Sequence, residues 1–203
     1  MSLRVVKLGG SLASSAQLPR WLEVIATAGA GKVVLVPGGG PWADEVRATQ
    51  QREGLDDRLA HRKALRAMEH YGSLFTAMQA NLVPAASFAQ MRATLSKSQV
   101  PVWLPHDLVV ADACIPESWE VTSDSLAAWL ANHLNASALL LVNSVNIAEP
   151  DLSMEKLGRR GWVDQAFATF TCAARYRIRV LGQGDQEIAR RLLMIGELAQ
   201  NRT

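Results

Sequence analysis

The chain has 203 residues, 49% of them hydrophobic, with 21 basic and 19 acidic side chains and a formal charge of +2. This is enough apolar material for a full core in a single domain over residues 1–203, and too much for a disordered chain. The near-neutral balance gives no electrostatic case for nucleic acid or an acidic membrane. The two cysteines, Cys114 and Cys172, fit neither a disulfide scaffold nor a zinc site.

Leu3 to Leu8 reads as a short buried strand that runs into Gly9-Gly10-Ser11. A strand that ends in a glycine pair and leads into a helix turns backbone N–H groups outward, where they can cradle a phosphate. Lys7 stands at the end of that strand, within reach of the same anion. Leu18 to Ala28 has Leu18, Trp21, Leu22 and Ile25 at helical spacing, and Gly29 to Gly31 close it. Lys32 to Val36 is a second strand, apolar throughout, which suits a sheet covered on both faces. The Gly31-Lys32 pair is no P-loop, because it precedes a strand and Val33 stands where a hydroxyl is needed.

Pro37-Gly38-Gly39-Gly40-Pro41 is a second glycine turn at a strand end, and Trp42 to Arg52 continues as a helix. Three glycines in a row let a ligand approach the backbone closely. Asp56-Asp57 cap a long helix to about Met78, whose buried face runs through Ala60, Ala64, Met68, Tyr71 and Phe75. Arg58, Arg62 and Arg66 form a row on another face, where a solvated role is the ordinary expectation. His61, near the first turn, is a candidate substrate contact.

Further on, a short helix is expected over Phe88 to Leu95, with strands at Val100 to Leu104 and Leu108 to Val110. Thr122 or Ser123 caps a helix over Leu126 to Leu134, and Asp124 falls in its first turn, where a carboxylate suits the helix dipole. Leu139 to Val142 is an apolar strand and Asn143 to Gly161 a polar loop. Asp164 to Ala174 reads as helical, Ile178 to Leu181 as a strand, and Asp185 to Leu198 as the closing helix.

Strands alternate with helices nearly throughout. The expected fold is α/β, a three-layer αβα sandwich around an open, mainly parallel sheet. Both glycine turns then lie at strand C-terminal ends, where such sheets bind ligands. Two anion-friendly turns on one rim suit phosphoryl transfer. The four histidines form no tight pair, so no protein-held metal is expected. A nicotinamide site at Gly182-Gln183-Gly184 is discounted, because Glu187 replaces the third glycine and no βαβ unit follows. With no bilayer-length apolar run and no leader pattern, a cytoplasmic protein is expected.

Three motifs in order, Lys7-Leu8-Gly9-Gly10-Ser11, Pro37-Gly38-Gly39-Gly40-Pro41 and Thr122-Ser123-Asp124-Ser125-Leu126-Ala127, resemble the amino acid kinase family of aspartokinase, acetylglutamate kinase and uridylate kinase. Within it the chain most resembles the small kinases of methanofuran biosynthesis. Gly40 to Arg47, Ala60 to Gly72 and Ser118 to Asp124 carry that likeness. The resemblance implies a sheet of about eight strands and ATP-dependent phosphorylation of a small phosphorylated or carboxylated metabolite, such as a furan phosphate. It implies Mg2+ brought with the nucleotide, and a homo-oligomer. It assigns catalysis to Lys7 and Asp124, nucleotide binding to Gly9, Gly10, Ser11, Asn143 and Asn146, and acceptor binding to Gly38, Gly39 and Gly40, with His61 beside them. The nucleotide half departs from the pattern. Asn143 stands where relatives place a cation, Asn146 and Ile147 where they place Asp-Gly, and Gln165 where many carry a second lysine. The alternative is a degenerate member that binds ligand or a partner without turnover.

Overall fold

The computed structural model describes residues 2–144 and 154–194. Among them six strands form one sheet, in the order β3-β4-β2-β1-β5-β6, and every pair is parallel. The strands are β1 (Arg4–Leu8), β2 (Val33–Pro37), β3 (Leu82–Ala85), β4 (Val100–Trp103), β5 (Ala138–Val142) and β6 (Arg177–Leu181). Helices join them: α1 (Leu18–Ala28), α2 (Gly40–Glu53), α3 (Asp57–Met78), α4 (Phe88–Ser96), α5 (His106–Val110), α6 (Ser123–His133), α7 (Met154–Arg159), α8 (Phe167–Thr171) and α9 (Gln186–Met194). This is the three-layer α/β sandwich expected.

Two apolar cores lie on the two faces of the sheet. Val5, Val34, Val36, Leu139 and Leu141 pack with α6 and Trp103, while Val6, Leu8, Val33, Leu35, Leu140 and Val142 pack with α1, Tyr71 and Phe75. Successive residues of a strand face opposite ways, so Lys7 shares its side of β1 with Val5 and points toward the α6 layer. β1 lies between β2 and β5, in register Lys7↔Val36 and Lys7↔Leu141. The chain leaves β1 for β2 on one side, while β5 comes to β1 from the other. Here the strand order reverses, and a crevice opens at the strand C-terminal ends.

Four expectations differ from what is found. The described residues form six strands where about eight were expected. Leu108 to Val110 is helical, not extended: it belongs to α5, with the Val109 N–H donating to the Pro105 carbonyl at 3.0 Å. A three-residue apolar run fits either period, and the nearby proline and Asp107 favour a helix start. The expected loop over 143–161 contains α7, and of the helix expected over 164–174 only Phe167–Thr171 forms. Asn146 and Ile147 lie outside the described residues.

Candidate active site

Lys7 is buried, at 4% exposure, in the penultimate position of the central strand. Its ammonium lies 2.7 Å from Asp124 Oδ1 and 3.3 Å from Asn143 Oδ1. Asp124, 8% exposed, comes from the first turn of α6, and Asn143 follows directly on β5. The contact to Asp124 Oδ1 is short, and that oxygen is buried. Burial pushes the Asp124 carboxyl above the ordinary carboxylate value. The Lys7 charge opposes that push; the charge of the nearby Asp164 adds to it, while the Asp164 backbone N–H works against it.

The two glycine turns meet backbone to backbone in front of Lys7. A Cβ on Gly10 would stand 2.2 Å from the Gly40 nitrogen, and one on Gly38 would stand 2.3 Å from the Gly10 nitrogen. Gly40 has φ of +58°, a left-handed conformation that favours glycine. The register places both turns at the same height, since Leu8 pairs with Pro37. Not all their N–H groups are free for a ligand. Gly9 donates to the Val142 carbonyl at 2.9 Å, and Gly38 to the Leu8 carbonyl at 2.8 Å. The Gly9 and Gly38 N–H groups are therefore engaged with neighbouring strands. Gly10 and Ser11 open a short 3-10 turn, and Gly39 and Gly40 open α2, positions where N–H groups lack intrahelical partners.

A cleft of about 380 Å³ lies beside these turns. Lys7, Gly10, Ser11, Gly39, Gly40, His61 and Asp124 line it, with Asp44 and Arg47 of α2 and Trp119 across from them. Gly9, Gly38 and Asn143 are not among its lining residues. The structure thus gathers Lys7, Asp124, Asn143 and both glycine turns at one place, with Asn143 a hydrogen-bond partner of Lys7. Both ends of its amide are engaged: it accepts from Lys7 and donates to the Trp162 carbonyl at 2.9 Å.

His61 is 3% exposed, and its Nδ1 lies 3.0 Å from the Ser118 carbonyl. A carbonyl only accepts, so Nδ1 carries the hydrogen and Nε2 holds a lone pair, with no hydrogen-bond partner. Burial lowers the pKa of the ring, so His61 is neutral at pH 7.

The wall carrying Trp119 was not assigned from sequence, nor was the use of the arginine row. Arg62 grips Glu117 in a fork, with bonds of 2.6 and 3.1 Å, and Arg58 reaches the same carboxylate at 3.2 Å. Only Arg66 pairs elsewhere, with Glu69 at 2.6 Å. Trp119 donates to Gln50 at 2.6 Å, and the Arg47 guanidinium lies 4.2 Å above its ring. Asp164 was also missed. It accepts from Thr122 and Ser125 at the start of α6. The signal available was an omission, since Thr122 to Ser125 has no Glu or Gln three residues past the cap.

No group of three or more potential metal-ligating side chains occurs among the described residues, and no helix there is long and apolar enough to cross a membrane. Comparison with known proteins then places the chain. Over 145 residues it is 25% identical to the [5-(aminomethyl)furan-3-yl]methyl phosphate kinase of Methanocaldococcus jannaschii, covering 71% of this chain and 67% of that one. Its fold superposes on the uridylate kinase of Archaeoglobus fulgidus with a TM-score of 0.69 at 18% identity, covering 95% of both chains. It also superposes on the UMP kinase of Bacillus anthracis with a TM-score of 0.67 at 14% identity, covering 95% and 92%. The model of the amino acid kinase family matches residues 2–151, most of the chain, and the protein belongs to that family.

Proposed function

We propose that the chain is an ATP-dependent phosphotransferase whose acceptor is a small phosphorylated or carboxylated metabolite of the furan phosphate type. The observation that carries this reading is the buried Lys7, held between Asp124 and Asn143 at the meeting of two glycine turns. Phosphoryl transfer asks for placed positive charge and N–H donors more than for a covalent nucleophile. Lys7 supplies the charge, and Asp124 keeps it from turning away. Gly10 and Ser11 would hold the nucleotide phosphates. Gly39 and Gly40, at the head of α2, would hold an anionic group of the acceptor.

The residues present fit Mg-ATP in two respects. The N–H groups of Gly10, Ser11, Gly39 and Gly40 stand at helix starts on the cleft, and the Lys7 ammonium lines the same cleft. Bound Mg-ATP would supply the phosphoryl group and part of the charge that neutralises it. On the acceptor side, Arg47 suits a phosphate or carboxylate that would displace it from Asp44, and the Trp119 ring it now covers would then offer an aromatic wall for a flat ring. The furan phosphate named for the relative combines an anion with such a ring.

The test is calorimetry with Mg-ATP and, separately, with [5-(aminomethyl)furan-3-yl]methyl phosphate, followed by phosphorus NMR of the mixture. A pyrophosphate product with release of ADP is expected. Binding of both compounds without turnover would instead support the degenerate reading, and binding of neither would end the proposal.

A further inference from the structure

The first turn of α6 carries one carboxylate, Asp124, and that group faces Lys7. The helix takes its cap from far along the chain. One oxygen of Asp164 accepts the Thr122 N–H at 2.9 Å, the Thr122 hydroxyl at 2.8 Å and the Ser125 N–H at 3.0 Å, and the other accepts the Ser125 hydroxyl. Two residues earlier, the Trp162 carbonyl accepts from the Asn143 amide at 2.9 Å. Two residues later, the Ala166 N–H donates to the Glu120 carbonyl at 3.1 Å. One short segment therefore holds both partners of Lys7: Asp124 through Asp164, and Asn143 through Trp162.

We infer that Asp164 is a positioning residue, which fixes the first turn of α6 and through it the contact of Asp124 with Lys7. A carboxylate that accepts several bonds makes charge-assisted contacts, and at a helix N-terminus its charge also suits the dipole. Asp124 and Ser125 are adjacent, so a shift that freed Ser125 would turn Asp124 away from Lys7. The functional meaning rests on the proposed role of Lys7, but the geometry does not.

The test separates the two. Nitrogen-15 NMR reads the Lys7 ammonium directly, and hydrogen exchange at Trp129 and Leu130 reports the body of α6. In Asp164→Asn, the Lys7 ammonium signal is expected to shift or to broaden beyond detection while α6 keeps its protection. A Lys7 signal that stays unchanged overturns the inference. Should Asp164→Asn not fold, Ser125→Ala leaves the carboxylate in place and should move the Lys7 signal in the same direction by less; no movement there overturns the inference too. In turnover assays Asp164→Asn should lower kcat by roughly tenfold to a hundredfold with the acceptor KM little changed. A moved Lys7 signal with no turnover even in the unaltered chain sinks the kinase proposal and leaves the positioning role standing.

Discussion

At the scale of single residues, the pairing of Lys7 with Asp124 has a consequence for both activity and stability. Lys7→Met should remove turnover while leaving a folded protein, since a charge contact of this kind in a transition state is worth roughly 3–4 kcal/mol. It should also destabilise the fold by about 3 kcal/mol at neutral pH, because it leaves Asp124 buried without its counter-charge. The pH dependence of that loss is opposite to the usual carboxylate pattern. Burial raises the folded-state pKa of Asp124 above its unfolded value, so its contribution to stability is full below the unfolded pKa and is lost as pH rises through the folded one. Taking Lys7 away raises the folded value further. Thermal melts of Lys7→Met against the unaltered chain should therefore converge as pH falls from neutral into the acid range. A gap that is constant with pH would mean that Asp124 is not the group left exposed to the loss.

At the scale of elements, the loop before α6 forms one wall of the cleft and is tied down by side chains of α2 and α3. Arg62 holds the Glu117 carboxyl below its ordinary value, chiefly through their hydrogen bonds. The contribution of this tie is present above the unfolded pKa of Glu117 and is lost as pH falls through the folded one. Glu117→Gln should raise the acceptor KM several-fold while kcat changes little, because it loosens a wall and leaves Lys7 alone; a matching fall in kcat would place the loop in the chemistry itself. The glycine turns offer a second test. Gly10→Ala drives a methyl into the Gly40 backbone and should cost about 1–3 kcal/mol in a melt, with loss of binding on both sides of the cleft. Much of this was legible in the sequence. The alternation of apolar runs gave β1, β2, α1 and α3 nearly residue for residue, because each was long enough to show its period. The two glycine turns stood out because no ordinary loop needs such runs. Leu108 to Val110 was too short to show a period, and the cap of α6 could not be read because its donor and acceptor are 39 and 42 positions apart.

At the scale of the whole molecule, the site lies where the sheet changes direction, with β1 sending the chain one way and receiving β5 from the other. Strand order is not written in any local pattern, so the sequence placed the turns on one rim but not against each other. It also read Asn143 as standing where relatives place a cation; that Asn143 is a hydrogen-bond partner of Lys7 could not be read from the sequence. A ligand that binds this junction binds only the folded chain and must raise its melting temperature. Mg-ATP at about a hundred times its Kd should stabilise by about 2.7 kcal/mol, a rise of roughly 5–10 °C for a chain of this length. Differential scanning calorimetry over a range of Mg-ATP concentrations checks this, and a melt that does not move even at millimolar Mg-ATP would show that the junction does not take the nucleotide.

The contact between Gly10, Gly38 and Gly40 also bears on how such a protein could acquire a new acceptor. The turn proposed for the nucleotide and the turn proposed for the acceptor touch through main chain, so neither Gly10 nor Gly38 can gain a side chain without displacing the other turn. The two sites share a hinge pin, and the pin is not free to vary. Change must come from the surrounding walls, at Asp44, Arg47 and Trp119, where a side chain can be exchanged without disturbing the other half. A library confined to those three positions should yield altered acceptor preference with ATP use intact, and one spread over the glycines should yield mostly inactive protein.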